Sequence, residues 1–156
     1  AFEVDHDPIR PAVGYRFDWK GRSVVLSGDT AQSANLMENS KGADVLVAES
    51  LVPALVGMAQ QQMKAQNNPR AAKVMGDIPD YHISPVDVAK MANDAGVGLL
   101  VYSHHIPSIQ VGSPMYFAGV AAARPADKWV AGWDGLRIDL QAGSTDIKQS
   151  ELLPKP

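Results

Sequence analysis

Two continuous apolar runs, ADVLVAES over residues 43–50 and VGLLVYS over 97–103, constrain this chain more than any other feature. A strand with water on one side alternates apolar and polar side chains. A run that stays apolar has both faces covered, the habit of strands in layered α/β folds. Between the runs, Ser84-Pro85-Val86-Asp87 sets an N-cap serine, a proline at the first helical position and an acid in the first turn. Val88, Ala92 and Ala95 form one apolar stripe, and Gly96 closes the helix. These segments place the chain in the α/β class.

The remaining elements are weaker. AFEVDH at 1–6 alternates like a half-buried strand, and a proline-rich turn, DPIRP, follows. VGYRFDW and RSVVLSGD read as two strands joined by a short turn at Lys20-Gly21, and a short helix over about 32–40 ends near Gly42. Residues 51–80 predict a helix near 53–66 and then a loop, because two prolines and Asn67-Asn68 break the pattern. That segment is a candidate lid, cap or subunit contact, set against the plainer reading of a helical connection. A helix near 114–123 and strands at KWVAG and GLRIDL complete the chain.

Composition narrows the chemistry. The 156 residues contain no cysteine, so disulfides and thiolate metal sites are excluded and any metal must sit on histidine and carboxylate. The formal charge of −3 gives no broad electrostatic reason to bind nucleic acid. No apolar run reaches the roughly 18 residues of a membrane-spanning helix. The sequence leaves the compartment open between cytoplasm and periplasm.

His6, Asp29 and His104 each fall where a strand ends, the position at which loops leave a rigid sheet and ligands gather. A single histidine in such a place is more often a hydrogen-bonded structural residue than a ligand. Asp29 lies in SGDT, where Gly28 lets the backbone turn sharply out of a buried strand and projects the carboxylate. Taken alone, GDT is equally a tight turn with a cap for the helix that follows.

The series VDH, PAVGYRF, GRSVVLSGDT, GADVLVAES, YHISPVDVAKMANDAGV and LLVYSHH resembles, in order and spacing across about residues 1–106, the ribonuclease Z and arylsulfatase-like branch of the metallo-β-lactamase superfamily. KWVAGWDGLRIDL resembles the family's last strands. The resemblance implies that His6 completes one metal site, that Asp29 bridges two metals and that His104 completes the second. His104 is preferred over His105 because the family histidine directly follows a small hydroxyl residue. It implies catalytic roles for His82, which would approach a scissile phosphate, and for Glu49, a second acceptor that would orient His82. The family's His-Glu-Ala-Thr signature reads Ala48-Glu49-Ser50-Leu51 here, so its histidine is absent.

The implied architecture is the C-terminal half of an αββα sandwich, a mixed sheet with helices on one side, occupying 1–156 as part of a single domain. The HxHxDH motif that supplies the family's other ligands does not occur. The expectation is therefore that the absent first half of the domain is a partner, with a second copy of the chain as another. The implied cofactors are two divalent ions, zinc before manganese or iron, activating water against an ester, phosphodiester or sulfate ester. Transfer-RNA-processing members insert an RNA-gripping arm between the positions of His6 and Asp29, and this chain has a plain hairpin there. A small-molecule substrate thus ranks first, a transfer-RNA 3′-end endonuclease second, and a non-catalytic half-domain for binding or assembly third.

Overall fold

In the computed structural model, which describes residues 1–108 and 113–155, the two apolar runs lie side by side in the sheet. β4 (Val45–Leu51) pairs in parallel with β5 (Leu99–Ile106). On one flank stand β3 (Arg22–Leu26), β2 (Ala12–Trp19) and β1 (Phe2–Val4), and on the other β6 (Trp129–Ala131), giving the order β1-β2-β3-β4-β5-β6. Pairing is antiparallel from β1 to β3 and parallel from β3 to β6, a mixed sheet. Lys20 and Gly21 both take positive φ, 47° and 77°, and Trp19 pairs with Arg22. Two left-handed residues make the turn whose twist suits a two-residue hairpin.

One face of the sheet is covered by helices. α1 (Ala34–Ser40) and α4 (Pro85–Asp94) bury Leu36, Val88, Ala89 and Ala92 against Val25, Leu46, Ala48, Leu100 and Tyr102. The Ser84 cap forms as the sequence implies, its Oγ accepting from the Asp87 N–H at 3.1 Å. The Tyr102 hydroxyl donates to the Pro85 carbonyl at 2.7 Å, tying β5 to the first turn of α4. Burial pushes that phenol's pKa well up, so it stays a donor.

The other face carries Val24, Val45, Val47, Leu99, Val101 and Val130. β7 (Leu136–Asp139) and β8 (Lys148–Glu151), a separate antiparallel pair, cover part of it through Leu136 and Ile138. The sequence hides β8 because KQSE is exposed throughout and has no apolar alternation.

Two expectations change. Residues 51–80 are not a helix followed by a loop but a helical hairpin, α2 (Pro53–Ala65) and α3 (Pro69–Asp77). Asn68 accepts from the Ala71 N–H at 3.1 Å and Pro69 opens the helix, so the residues that look like breakers are an N-cap and a first-turn proline. The helix expected near 114–123 shrinks to α5 (Val120–Ala123), beginning after Gly119 at φ 86°.

Candidate metal centre

The candidate residues meet beyond the C-terminal ends of β3 and β4, and three local devices bring them there. Gly28 sits at φ 63°, and a Cβ on it would lie 2.4 Å from the Val13 carbonyl oxygen. Only glycine fits such a position, so the turn that aims Asp29 is dictated by backbone contact.

The second device is a β-bulge. Ala48 pairs with Tyr102 but Ser50 with His105, so one residue of β4 faces two of β5. His104 is therefore inside β5 rather than at its end, and it absorbs the irregularity at φ 41°. A non-glycine residue in the left-handed region is uncommon and is held there by its surroundings. Its Nδ1–H donates to Asp29 Oδ1 at 2.8 Å, both side chains about half exposed. His105 points elsewhere, its ring edge-on to Tyr116 and Phe117, and burial together with the neighbouring His104 lowers its pKa.

The third device is the loop ahead of α4, which delivers His82. Its Nδ1–H donates to Glu49 Oε1 at 2.7 Å, and the two side chains are 7% and 2% exposed. The same oxygen accepts from the Thr30 N–H at 2.8 Å. Anchoring Nδ1 in this way leaves Nε2 as the working nitrogen of His82. His6 lies just past β1 with its ring 5.1 Å from that of His82 and 4.8 Å from that of Tyr81, while His82 and His104 stand 6.0 Å apart.

The donor set suits a metal. Ligand atoms of His6, Asp29 and His82 all lie within 4.8 Å of one another. His6 Nε2 and Glu49 Oε2 are buried without any hydrogen-bond partner among the described residues. Buried polar atoms are almost always paired, so two orphans in one cluster fit a group that binds there. All the residues read from the sequence, His6, Glu49, Asp29, His82 and His104, are thus brought together. The compact trio differs from the sequence expectation, since His82 joins His6 and Asp29 directly and His104 reaches them through Asp29. Sequence reading missed the Tyr81 ring beside His6 and the reach of Thr30 to Glu49; the first was signalled only by its adjacency to His82.

The chain is 36% identical over 141 residues to the ribonuclease Z of Mycobacterium avium, covering 90% of this chain and 46% of that protein. It is 33% identical over 140 residues to the ribonuclease Z of Mycobacterium marinum, covering 89% and 46%. Over nine-tenths of its length the chain is similar in sequence to ribonuclease Z, and its fold is the metallo-β-lactamase fold. Its fold resembles the metallo-β-lactamase fold protein YhfI of Bacillus subtilis, with a TM-score of 0.55 over 85% of this chain and 46% of that one, at 16% identity. No family model matches. The chain spans about half the length of the curated relatives it matches.

Proposed function

We propose that this chain supplies the second half of a metal-dependent hydrolase that cleaves RNA phosphodiesters. The observation that carries the reading is the buried Glu49–His82 pair beside His6 and Asp29. Hydrolysis of a phosphodiester releases an oxygen that must gain a proton. His82, oriented by Glu49 and presenting Nε2 to the cluster, can deliver it. His6, Asp29 and His104 are the residues that would hold two divalent ions, zinc first. Bound there, such ions supply an acidified water and charge stabilisation.

The sequence alone ranks a small-molecule ester ahead of RNA. The relatives' name, ribonuclease Z, supports the reverse order. The small-molecule reading keeps one observation in its favour, the bare Lys20-Gly21 connection where an RNA-gripping arm would stand. The α2–α3 hairpin, leading through Ile78 and Tyr81 to His82, is suited to cap either substrate.

A first half of the domain fits the open face of the sheet. Tyr15 and Phe17 stack there with ring centroids 6.3 Å apart while 45% and 56% exposed, in line with Val24 and Leu26. A cavity of about 690 Å³ on the same face runs between Val47, Val101, His104, Trp133, Leu136 and Leu153. A second sheet laid on this surface would remove that apolar area from water and bring further ligands toward Asp29.

The test compares a 3′-extended transfer-RNA precursor with aryl phosphodiester and aryl sulfate substrates, with the domain's first half supplied. Preferential cleavage of the RNA supports the reading, and turnover confined to the small substrates overturns its RNA part. Asp29→Ala should lower metal affinity at least about 100-fold. Glu49→Gln should slow RNA cleavage about 10- to 100-fold with metal content unchanged. Normal metal content and turnover in Asp29→Ala would refute the whole assignment.

A further inference from the structure

We propose that Thr30 is the positioning residue that sets the spacing between His6, Asp29 and His82, an inference that rests on reading this cluster as a metal centre. Thr30 is fully buried, and it touches the backbone or partner of each of these residues. On one side it follows Asp29 directly in the chain. On a second, its Oγ1 accepts from the Asp5 N–H at 3.2 Å, one residue ahead of His6. On a third, its N–H donates to Glu49 Oε1, the oxygen that also holds His82.

The hydroxyl has one proton and two lone pairs, and the geometry uses both kinds of capacity. It accepts from Asp5 while its proton goes to the Ala31 carbonyl at 2.9 Å, with the Asp5 carbonyl at 3.3 Å as the alternative. The Ala31 N–H returns a bond to the Asp5 carbonyl at 2.6 Å. The Asp5 peptide is therefore gripped on both sides by residues 30 and 31. β1 and β3 are not neighbours, since β2 lies between them. Sheet pairing does not join β1 to β3 directly, and this crosslink ties the residue before His6 to the one after Asp29. Removing the hydroxyl leaves the Asp5 N–H without its acceptor and the Asp5 peptide held on one side only, through the Ala31 N–H, while the N–H to Glu49 remains.

The conventional reading of a buried threonine after a tight turn is that it stabilises the fold, and the two roles separate by experiment. Thr30→Val keeps the volume and removes the hydroxyl, whereas Thr30→Ser keeps the hydroxyl and removes a methyl. The dissociation constant for Zn²⁺ is measured by competition with a chromophoric chelator on the chain with the domain's first half supplied, alongside thermal melting. Thr30→Val is expected to weaken Zn²⁺ binding about 10- to 100-fold, the usual penalty for losing support behind ligands. Thr30→Ser should stay within about threefold of the unaltered chain, although it loses packing that a structural role would need. If Thr30→Val does not fold, Thr30→Ala is compared with Thr30→Ser, and at least tenfold weaker binding by the alanine variant is expected. Equal affinity within either pair overturns the positioning role. Failure of the unaltered protein to bind Zn²⁺ with the first half supplied overturns instead the metal-centre reading on which it depends.

Discussion

The two faces of the six-stranded sheet are built from the same kind of residue and end in different states. On the helix side, Val25, Leu46, Ala48, Leu100 and Tyr102 are buried beneath α1 and α4. On the opposite side, Val24, Leu26 and Val47 remain half-buried, and Tyr15, Phe17 and Trp19 stand 45%, 56% and 75% exposed. Alternation along each strand divides the side chains between the faces, but it does not say what covers them. The face with local partners, supplied by helices close in sequence, is complete. Among the described residues, the face whose cover is β7 and β8 is complete only near Val45, Leu99 and Val101.

That contrast can be broken by substitution, and the largest effect belongs to the covered face. Leu100→Ala should cost about 3 kcal/mol in chemical denaturation, since Leu100 is fully enclosed and little can collapse into the space. A cost under about 1 kcal/mol would mean that the helices hold that face more loosely than the packing implies.

Next comes the pin between the faces. Arg22, 6% exposed, pairs with Asp44 at 2.8 Å and donates to the carbonyls of Gln141, Ser144 and Asp146, holding the segment between β7 and β8. Asp44→Asn should cost about 2 kcal/mol, because Arg22 loses its counter-charge while staying buried. Burial raises the Asp44 pKa, but the Arg22 hydrogen bond, the Ser23 N–H and the Arg22 charge outweigh it and hold the carboxyl below 3.8. A carboxyl depressed in the folded state stabilises fully above its unfolded pKa and loses that contribution as pH falls through the folded value. The acid limb of stability below about pH 4 should therefore flatten in Asp44→Asn, and denaturation between pH 2 and 6 checks it.

Val47→Ala, on the half-covered face, should cost about 1 kcal/mol by the same denaturation. Phe17→Ser should change stability by less than about 0.5 kcal/mol in the chain alone, its ring being mostly in water already. Adding a first half of the domain sharpens the comparison. Phe17→Ser should then weaken association measurably in sedimentation, whereas Leu100→Ala should act through stability alone. Equal effects of both variants on association would deny that the open face is an interface.

Much of the site was legible because it rests on local rules. SGDT announces a sharp turn carrying a carboxylate, and Ser84-Pro85 announces a helix start with His82 just before it; both form as the residues imply. The Asn68 cap was also in the sequence, but the same residues mark a break or a beginning, and only the packing of α3 against α2 chose between them. Nothing local signals the bulge at His104. It exists because β5 must keep register with β4 on both sides of Glu49, a relation between strands a third of the chain apart.

By itself, then, the sequence determined the types of the central elements, the two-sided burial of β4 and β5, and which side chains had metal-binding chemistry, because periodicity, capping and donor type are properties of neighbouring residues. Only the tertiary structure decided that His82 stands beside His6 and Asp29, that His104 reaches them through the Asp29 carboxylate, and that Thr30 links Asp5 to Glu49. Those contacts join segments 19 to 76 residues apart. Their distances follow from strand order and register, which no local pattern encodes.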